Sequence, residues 1–196
     1  MPTFNGFNGE IFQFNACNKF FNLLTDETLQ INAYFNSYGN IDLIGLKTGL
    51  PTTYIKWLAE NEKAEINNKK LNSRSYFSVS GKNYLGYAEI KFELEANSAC
   101  LKPNNFVSCL FINLDKYRVY ITRHKKPNLL RPYLLNIKLN ILDRNVRPHG
   151  IIGQTAELKP RIPSGEQGVI FGKPVDYEVN DLWTSSFKYN KFKDKP

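Results

Sequence analysis

Cysteine, histidine and methionine are scarce in this sequence: three, two and one among 196 residues. Cys17, Cys100 and Cys109 are too few to build a disulfide scaffold, and an odd number leaves one thiol over. Cys100 and Cys109 flank LKPNNFVS, whose Pro-Asn-Asn centre reads as a turn. Two readings stay open for them: a bond across a hairpin, stable only in an oxidising compartment, or small buried hydrophobes. With only His124 and His149, nucleophilic catalysis would need a Ser or Cys beside one of them. There is no Gly-x-Ser-x-Gly elbow, no Cys-x-x-Cys and no His-Glu-x-x-His, so the usual signatures of hydrolases and zinc sites are missing. The expectation is no catalytic residue and no metal site. Ca²⁺ is the one cofactor considered, because Asp26, Asp42, Asp143 and the many Asn side chains offer oxygens, though without EF-hand spacing. GVIFGK (168–173) has the wrong spacing for a phosphate loop. Long apolar runs are also missing, and MPTFNGFNGE lacks a basic segment followed by an apolar one. Neither membrane insertion nor a signal peptide is expected in this chain.

Aromatic and β-branched residues are plentiful, with 14 Phe and 11 Tyr, and asparagine punctuates the chain. That mixture favours strands joined by polar turns. EIFQF (10–14), FFNLL (20–24), YFSVS (76–80), AEIKFELE (88–95), VSCLFINL (107–114) and YRVYIT (117–122) read as strands. LQINAYF (29–35) alternates strictly, with Leu29, Ile31, Ala33 and Phe35 on one face and Gln30, Asn32 and Tyr34 on the other. YLLNIKLNIL (133–142) repeats the pattern. Both are expected as strands with one face buried. PTTYIKWLAENEK (51–63) fits a short helix capped by Thr52 or Thr53, or a strand that ends in a charged turn. In RNVRPHGIIGQTA, Gly150 and Gly153 bracket two isoleucines. A tight turn and a return strand burying Ile151 and Ile152 are expected there, with glycine serving positive φ or close backbone approach. The fold class that follows is mainly β: an antiparallel β sandwich or flattened barrel, a single domain with at most one or two short helices.

Charge is uneven. Between Lys116 and Arg147 stand nine Lys/Arg and one acid, Asp143, a balance of +8 that equals the formal charge of the whole chain. Within it, Pro127 inside RHKKPNLLR and Pro132 just after it favour a loop, and a loop frees its cations from strand alternation. Arg123, Lys125, Lys126 and Arg131 are therefore candidates for binding an acidic polymer, whether glycan or nucleic acid. The plainer reading is a solvated basic face.

Two separated groups of motifs resemble a known family. FNGFNGEIFQFN, FFNLLTDETLQINAYF and HGIIGQTA are similar, in this order, to elements of the root-cap domain family, itself related to von Willebrand factor type D domains. Gly6, Gly9, Phe12 and Phe14 match the first element, and Phe21, Leu23, Thr25 and Asp26 the second. Leu29, Ile31, Asn32, Ala33 and Phe35 match the third. Gly150, Gly153, Gln154 and Thr155 match a Gly-hydrophobic-hydrophobic-Gly-Gln-Thr signature, and with His149 they also resemble an element of inter-α-trypsin inhibitor heavy chains. GKPVDYEVNDLWTSSFKYNKF is like the family's closing segment. Asn8 stands where the family usually has Asp, which removes a carboxylate from any cation site, and the cysteine-rich framework of secreted type D modules is missing.

The resemblance implies a β domain over 1–187, and the charged KYNKFKDKP (188–196) reads as a basic, frayed tail. It implies a structural motif made of Gly6, Gly9, Asp26, Asn32, His149, Gly150, Gly153, Gln154 and Thr155. It further implies a non-enzymatic structural or adhesive module, extracellular or at a cell surface, that binds a matrix, coat or protein partner. An acidic-polymer-binding protein using region 116–147 is the alternative, and a hydrolase acting on cell-wall or coat material is a distant third.

Overall fold

The computed structural model describes residues 3–7, 9, 11–14, 16–49, 52–71, 75–79, 88–94, 106–127, 130–156, 173–184 and 186–192. Their strands are β1 (Thr3–Asn5), β2 (Ile11–Gln13), β3 (Lys19–Thr25), β4 (Leu29–Phe35), β5 (Ile41–Thr48), β6 (Tyr54–Leu58) and β7 (Glu65–Ile66). They continue as β8 (Lys69–Lys70), β9 (Ser75–Val79), β10 (Ala88–Leu94), β11 (Phe106–Asn113), β12 (Tyr117–Lys125), β13 (Tyr133–Ile141) and β14 (Glu178–Val179). Two 3-10 turns, Gly153–Ala156 and Pro174–Tyr177, are the only helical segments among the described residues. No described helix is long and apolar enough to cross a membrane. The fold is mainly β, a curled antiparallel sheet that forms a half-barrel.

Strand order along the sheet is β14-β3-β4-β5-β13-β12-β11-β10-β9, with β6, β7 and β8 branching from β5. β5 is the fork. One of its edges pairs with β4 throughout, while the other meets β13 at Ile41↔Leu135 and then β6 from Leu43 onward. Two strand groups thus share one apolar interior, lined by Leu24, Ile31, Phe35, Leu46, Trp57, Ile112, Val119 and Ile121. The separate β1–β2 hairpin closes one side, with Phe4 stacked on Phe12 and edge-on to Phe35.

The segment 51–63 forms a strand followed by a turn rather than a helix. Ile55 and Trp57 point inward and are buried while Tyr54 and Leu58 are exposed, a period of two that a helix cannot satisfy.

Two expectations need correction. The polar face of β4 is not solvated: Gln30 and Asn32 are as fully buried as Ile31 and Ala33. Among the described residues no return strand follows the HGIIG turn either. Ile151 and Ile152 are buried as expected, but the chain goes straight into the 3-10 turn Gly153–Ala156. Their N–H groups donate to the carbonyls of Asn22 (3.1 Å) and Leu23 (2.8 Å), at a bulge in β3, so the segment docks on irregular backbone instead of extending a ladder.

The tail is corrected in part. Through Phe192 it is docked: the N–H groups of Lys191 and Phe192 donate to Thr25 Oγ1 at 2.9 and 3.2 Å, and Phe192 is buried. Residues 193–196 lie outside the described residues, as do Asn8, Cys100 and most of GVIFGK.

Candidate functional site

The motif residues converge on β3 and β4. Thr25 and His149 exchange two backbone hydrogen bonds (2.9 and 2.8 Å), which sets the HGIIG segment beside the end of β3. Gly150 has φ +98°, a region L side chains rarely adopt, and a Cβ there would come within 2.5 Å of Asn22 Oδ1 and 2.7 Å of the Leu23 carbonyl oxygen. Only glycine fits. Gly153 differs, because its backbone is ordinary and a Cβ would meet Pro148 at 3.3 Å. The two glycines therefore do not share the role expected from the sequence.

The His149 imidazole accepts from the Gly150 N–H at Nδ1 (2.8 Å) and packs in one cluster with the rings of Tyr189 (4.7 Å) and Tyr177 (5.7 Å), which also touch each other (5.4 Å). Burial pushes the Tyr177 phenol up to about 12. Thr155 Oγ1 donates to the Ile152 carbonyl (2.7 Å) and accepts from the Phe7 N–H (2.9 Å), tying the β1–β2 turn to the second motif. That turn holds Gly6 and Gly9: the Gly9 N–H donates to the Gly6 carbonyl at 3.3 Å, with φ +84° at Gly9. Gln154 is buried, and its side chain hydrogen-bonds Tyr177. The elements that resemble one family in sequence are thus joined in space.

Asn32 makes the second joint. Its Oδ1 accepts from Asn22 Nδ2 (2.8 Å), and its Nδ2 donates to the carbonyls of Leu182 and Thr184, both at 3.0 Å. Gln30 Nε2 donates to the carbonyls of Trp183 (3.3 Å) and Thr184 (3.2 Å). Residues 181–184 have no regular structure, so their carbonyls need partners from elsewhere. Asp181 shapes this segment, its Oδ1 accepting from the N–H groups of Trp183 and Thr184, both at 2.7 Å. Opposite Asn32 on β5 stands Gly45, where a Cβ would lie 2.9 Å from Leu182 Cβ. Small Gly45 makes the room and the Asn32 amide supplies the bonds. Sequence reasoning did not find Gly45 or Asp181; the sharpest available signal was a glycine inside an apolar strand-like run.

Asp26 is buried, with Oδ1 accepting from the Glu27 N–H (2.8 Å) and Oδ2 from the Tyr117 hydroxyl (2.5 Å). Burial, and then this hydrogen bond, hold the Tyr117 phenol far above its ordinary range. The bond joins β12 to the end of β3, and Asp26 also lines a cleft of about 620 Å³. Its walls carry Lys116, Asp143, Arg147, Lys191 and Phe192. Asp42, the third carboxylate considered for Ca²⁺, lies elsewhere, within 3.5 Å of Arg131 Nη1. Among the described residues no group of three or more His, Cys, Asp or Glu is placed to hold a metal ion.

The basic region splits. Lys116, Arg144 and Arg147 lie at the Asp26 end of β12 and β13, while Lys125, Lys126 and Arg131 lie at the other. A nine-residue strand separates the groups by about 30 Å. Arg123 is a correction, because β12 runs on to Lys125 and turns that side chain inward, where it is only 4% exposed. Its Nε donates to the Ala59 carbonyl (2.7 Å) and its guanidinium lies 3.7 Å from the Tyr133 ring centroid. It is a structural cation. Lys125, Lys126 and Arg131 are exposed, around a loop whose neck is closed by the Lys126 N–H donating to the Pro132 carbonyl (2.7 Å).

His124 is buried, and its Nε2 lies 2.7 Å from Thr122 Oγ1. Burial, and secondarily the Lys126 charge, lower its pKa. Cys109, opposite Thr122 on β11, is disulfide-bonded, and Cys17 is exposed. Neither a protein-family model nor a curated protein matches the chain.

Proposed function

We propose that this protein is a non-enzymatic structural or adhesive module of the root-cap and type D kind, which binds a matrix, coat or protein partner at a cell surface or outside the cell. The observation that carries the reading is the use made of the motif residues. Gly150 admits Asn22 and Leu23, Thr155 holds the Phe7 backbone, Asn32 holds residues 182 and 184, and Asp26 holds Tyr117. Each contact closes the fold between distant parts of the chain. The disulfide at Cys109 favours an oxidising setting. A broad hydrolase screen on the purified protein tests the non-enzyme reading, with His149→Ala as the control. Turnover that vanishes in a folded His149→Ala variant would sink it; the expected outcome is no turnover and a lower melting midpoint from the lost ring stack.

A second reading is favoured by one observation: Lys125, Lys126 and Arg131 stand exposed around a single closed loop. On this reading the loop binds an acidic polymer, with Arg123 supporting it from below. Retention on heparin should fall steeply with salt as counterions are released, and Lys125→Glu with Lys126→Glu should abolish it. Wild type that washes off at about 0.15 M ionic strength would leave only a solvated basic loop.

A further inference from the structure

The end of the sheet that carries this loop also carries the two most exposed large hydrophobic residues among those described. Leu130 is 100% exposed and Tyr38 70%. Leu130 belongs to the β12–β13 loop and Tyr38 to the turn 36–40 between β4 and β5. Asp42 clamps the two together: its Oδ1 accepts from Asn36 Nδ2 (2.7 Å) and its Oδ2 lies 3.5 Å from Arg131 Nη1.

The turn 36–40 and the neck of the other loop are both held by hydrogen bonds. In the turn, Asn36 Oδ1 accepts from the N–H groups of Tyr38 (2.9 Å) and Asn40 (3.1 Å), and Gly39 takes φ +76°. The other loop is closed at Lys126–Pro132 and stands on nine consecutive β12–β13 pairs. Tyr38 is therefore presented to solvent by a built turn and Leu130 from a loop with a closed neck that also carries Lys125, Lys126 and Arg131. The neighbouring turn 59–63 adds Glu60, Glu62 and Lys63, so the surplus of cations at this end lies within residues 125–131 alone.

A soluble glycan or nucleic acid could use the cations but has no use for a fully exposed leucine. A bilayer interface uses all three kinds of residue. Leucine enters the acyl boundary, tyrosine sits at headgroup level, and lysines meet anionic phosphates. We infer that this rim docks on an anionic lipid surface, with Leu130 and Tyr38 entering the interface and Lys125 and Lys126 on lipid phosphates. The inference rests on the anion-binding reading for its cations and goes beyond it in naming the partner. It is surface docking, not a membrane span.

The experiment is co-sedimentation of the whole chain with phosphatidylcholine vesicles and with equimolar phosphatidylcholine and phosphatidylserine, run beside a heparin column. Wild type should sediment with the mixed vesicles and much less with phosphatidylcholine alone. Leu130→Ser should lower vesicle binding about tenfold, from the lost burial of one leucine, and leave heparin retention and the melting midpoint unchanged. Tyr38→Ser should act in the same direction. Lys125→Glu with Lys126→Glu should weaken both, by about fivefold or more per charge on vesicles. Heparin retention without vesicle binding, or vesicle binding indifferent to Leu130→Ser, overturns the lipid inference and leaves the acidic-polymer reading standing. Binding to neither overturns both.

Discussion

Strands β4 and β13 carry the same alternation of apolar and polar residues, yet they end in opposite situations. On β13, Asn136 and Lys138 face solvent. On β4, Gln30 and Asn32 are fully buried beneath residues 181–184. The difference lies in what arrives over the polar face, since Asn136 is an amide as well: residues 181–184 bring irregular backbone to Gln30 and Asn32. An amide carries donors and an acceptor without a charge, so it can enter the interior when irregular backbone brings carbonyls to it. The half of the sheet around β4 is therefore covered on both faces, and β5 beside it is almost wholly buried. The half around β13 keeps one solvated face.

The comparison can be tested most severely at Gly150, on the doubly covered half. Gly150→Val should destabilise the protein by about 3 kcal/mol or more, because positive φ and a backbone clash act together. Gly153→Ala should cost about 1 kcal/mol or less, since only Pro148 must yield. Equal urea midpoints for the two variants would refute the assigned roles.

Next in size is Asn32→Leu, which removes the amide from the joint and strands the carbonyls of Leu182 and Thr184. About 3 kcal/mol is expected, as several buried partners lose their bonds at once. If residues 181–184 find other partners, the loss will shrink below about 1 kcal/mol, and the double covering of β4 will prove incidental.

A smaller, pH-dependent effect is expected at Asp42, near the seam between the two halves. Burial raises its pKa, opposed by Asn36 and Arg131. The folded state therefore holds the proton to higher pH than the unfolded chain does, so stability from this group falls as pH rises through the window above the unfolded value. Asp42→Asn mimics the protonated form. It should be more stable than wild type at neutral pH, with the gap closing as pH falls and Asp42 becomes protonated. Melts at several pH values read this directly, and a gap that widens toward acid would reverse the assignment. The smallest effect belongs to the solvated half: Asn136→Leu, the counterpart of Asn32→Leu, should shift stability by no more than about 0.5 kcal/mol.

Much of the β4 and β13 architecture was legible because alternation and turn residues act locally. LQINAYF spans β4 from end to end, and eight strands fall within a residue or a few of where the pattern puts them. β5 escaped because IDLIGLKT is buried on both faces, which erases the period of two that marks a half-buried strand. Arg123 misled for a related reason. Alternation continued past the residue where the loop was expected to begin, so a cation with a surface-like sequence context turned inward onto Tyr133.

The sequence by itself determined the mainly β class, the chain positions of most strands, the need for glycine at 150 and the clustering of positive charge between 116 and 147. Those follow from side-chain period, turn chemistry and counting, all of which are local. Only the tertiary structure decided that the amide face of β4 is a docking seat, that the frayed-looking tail is anchored through Phe192 to Thr25, and that the basic region divides between two ends of the sheet. Each of those depends on which carbonyls, rings and charges arrive from residues more than 100 positions away or from the far end of a strand. Local pattern carries no record of such arrivals, because hydrogen-bond satisfaction of buried amides and irregular backbone is settled only when the whole chain closes.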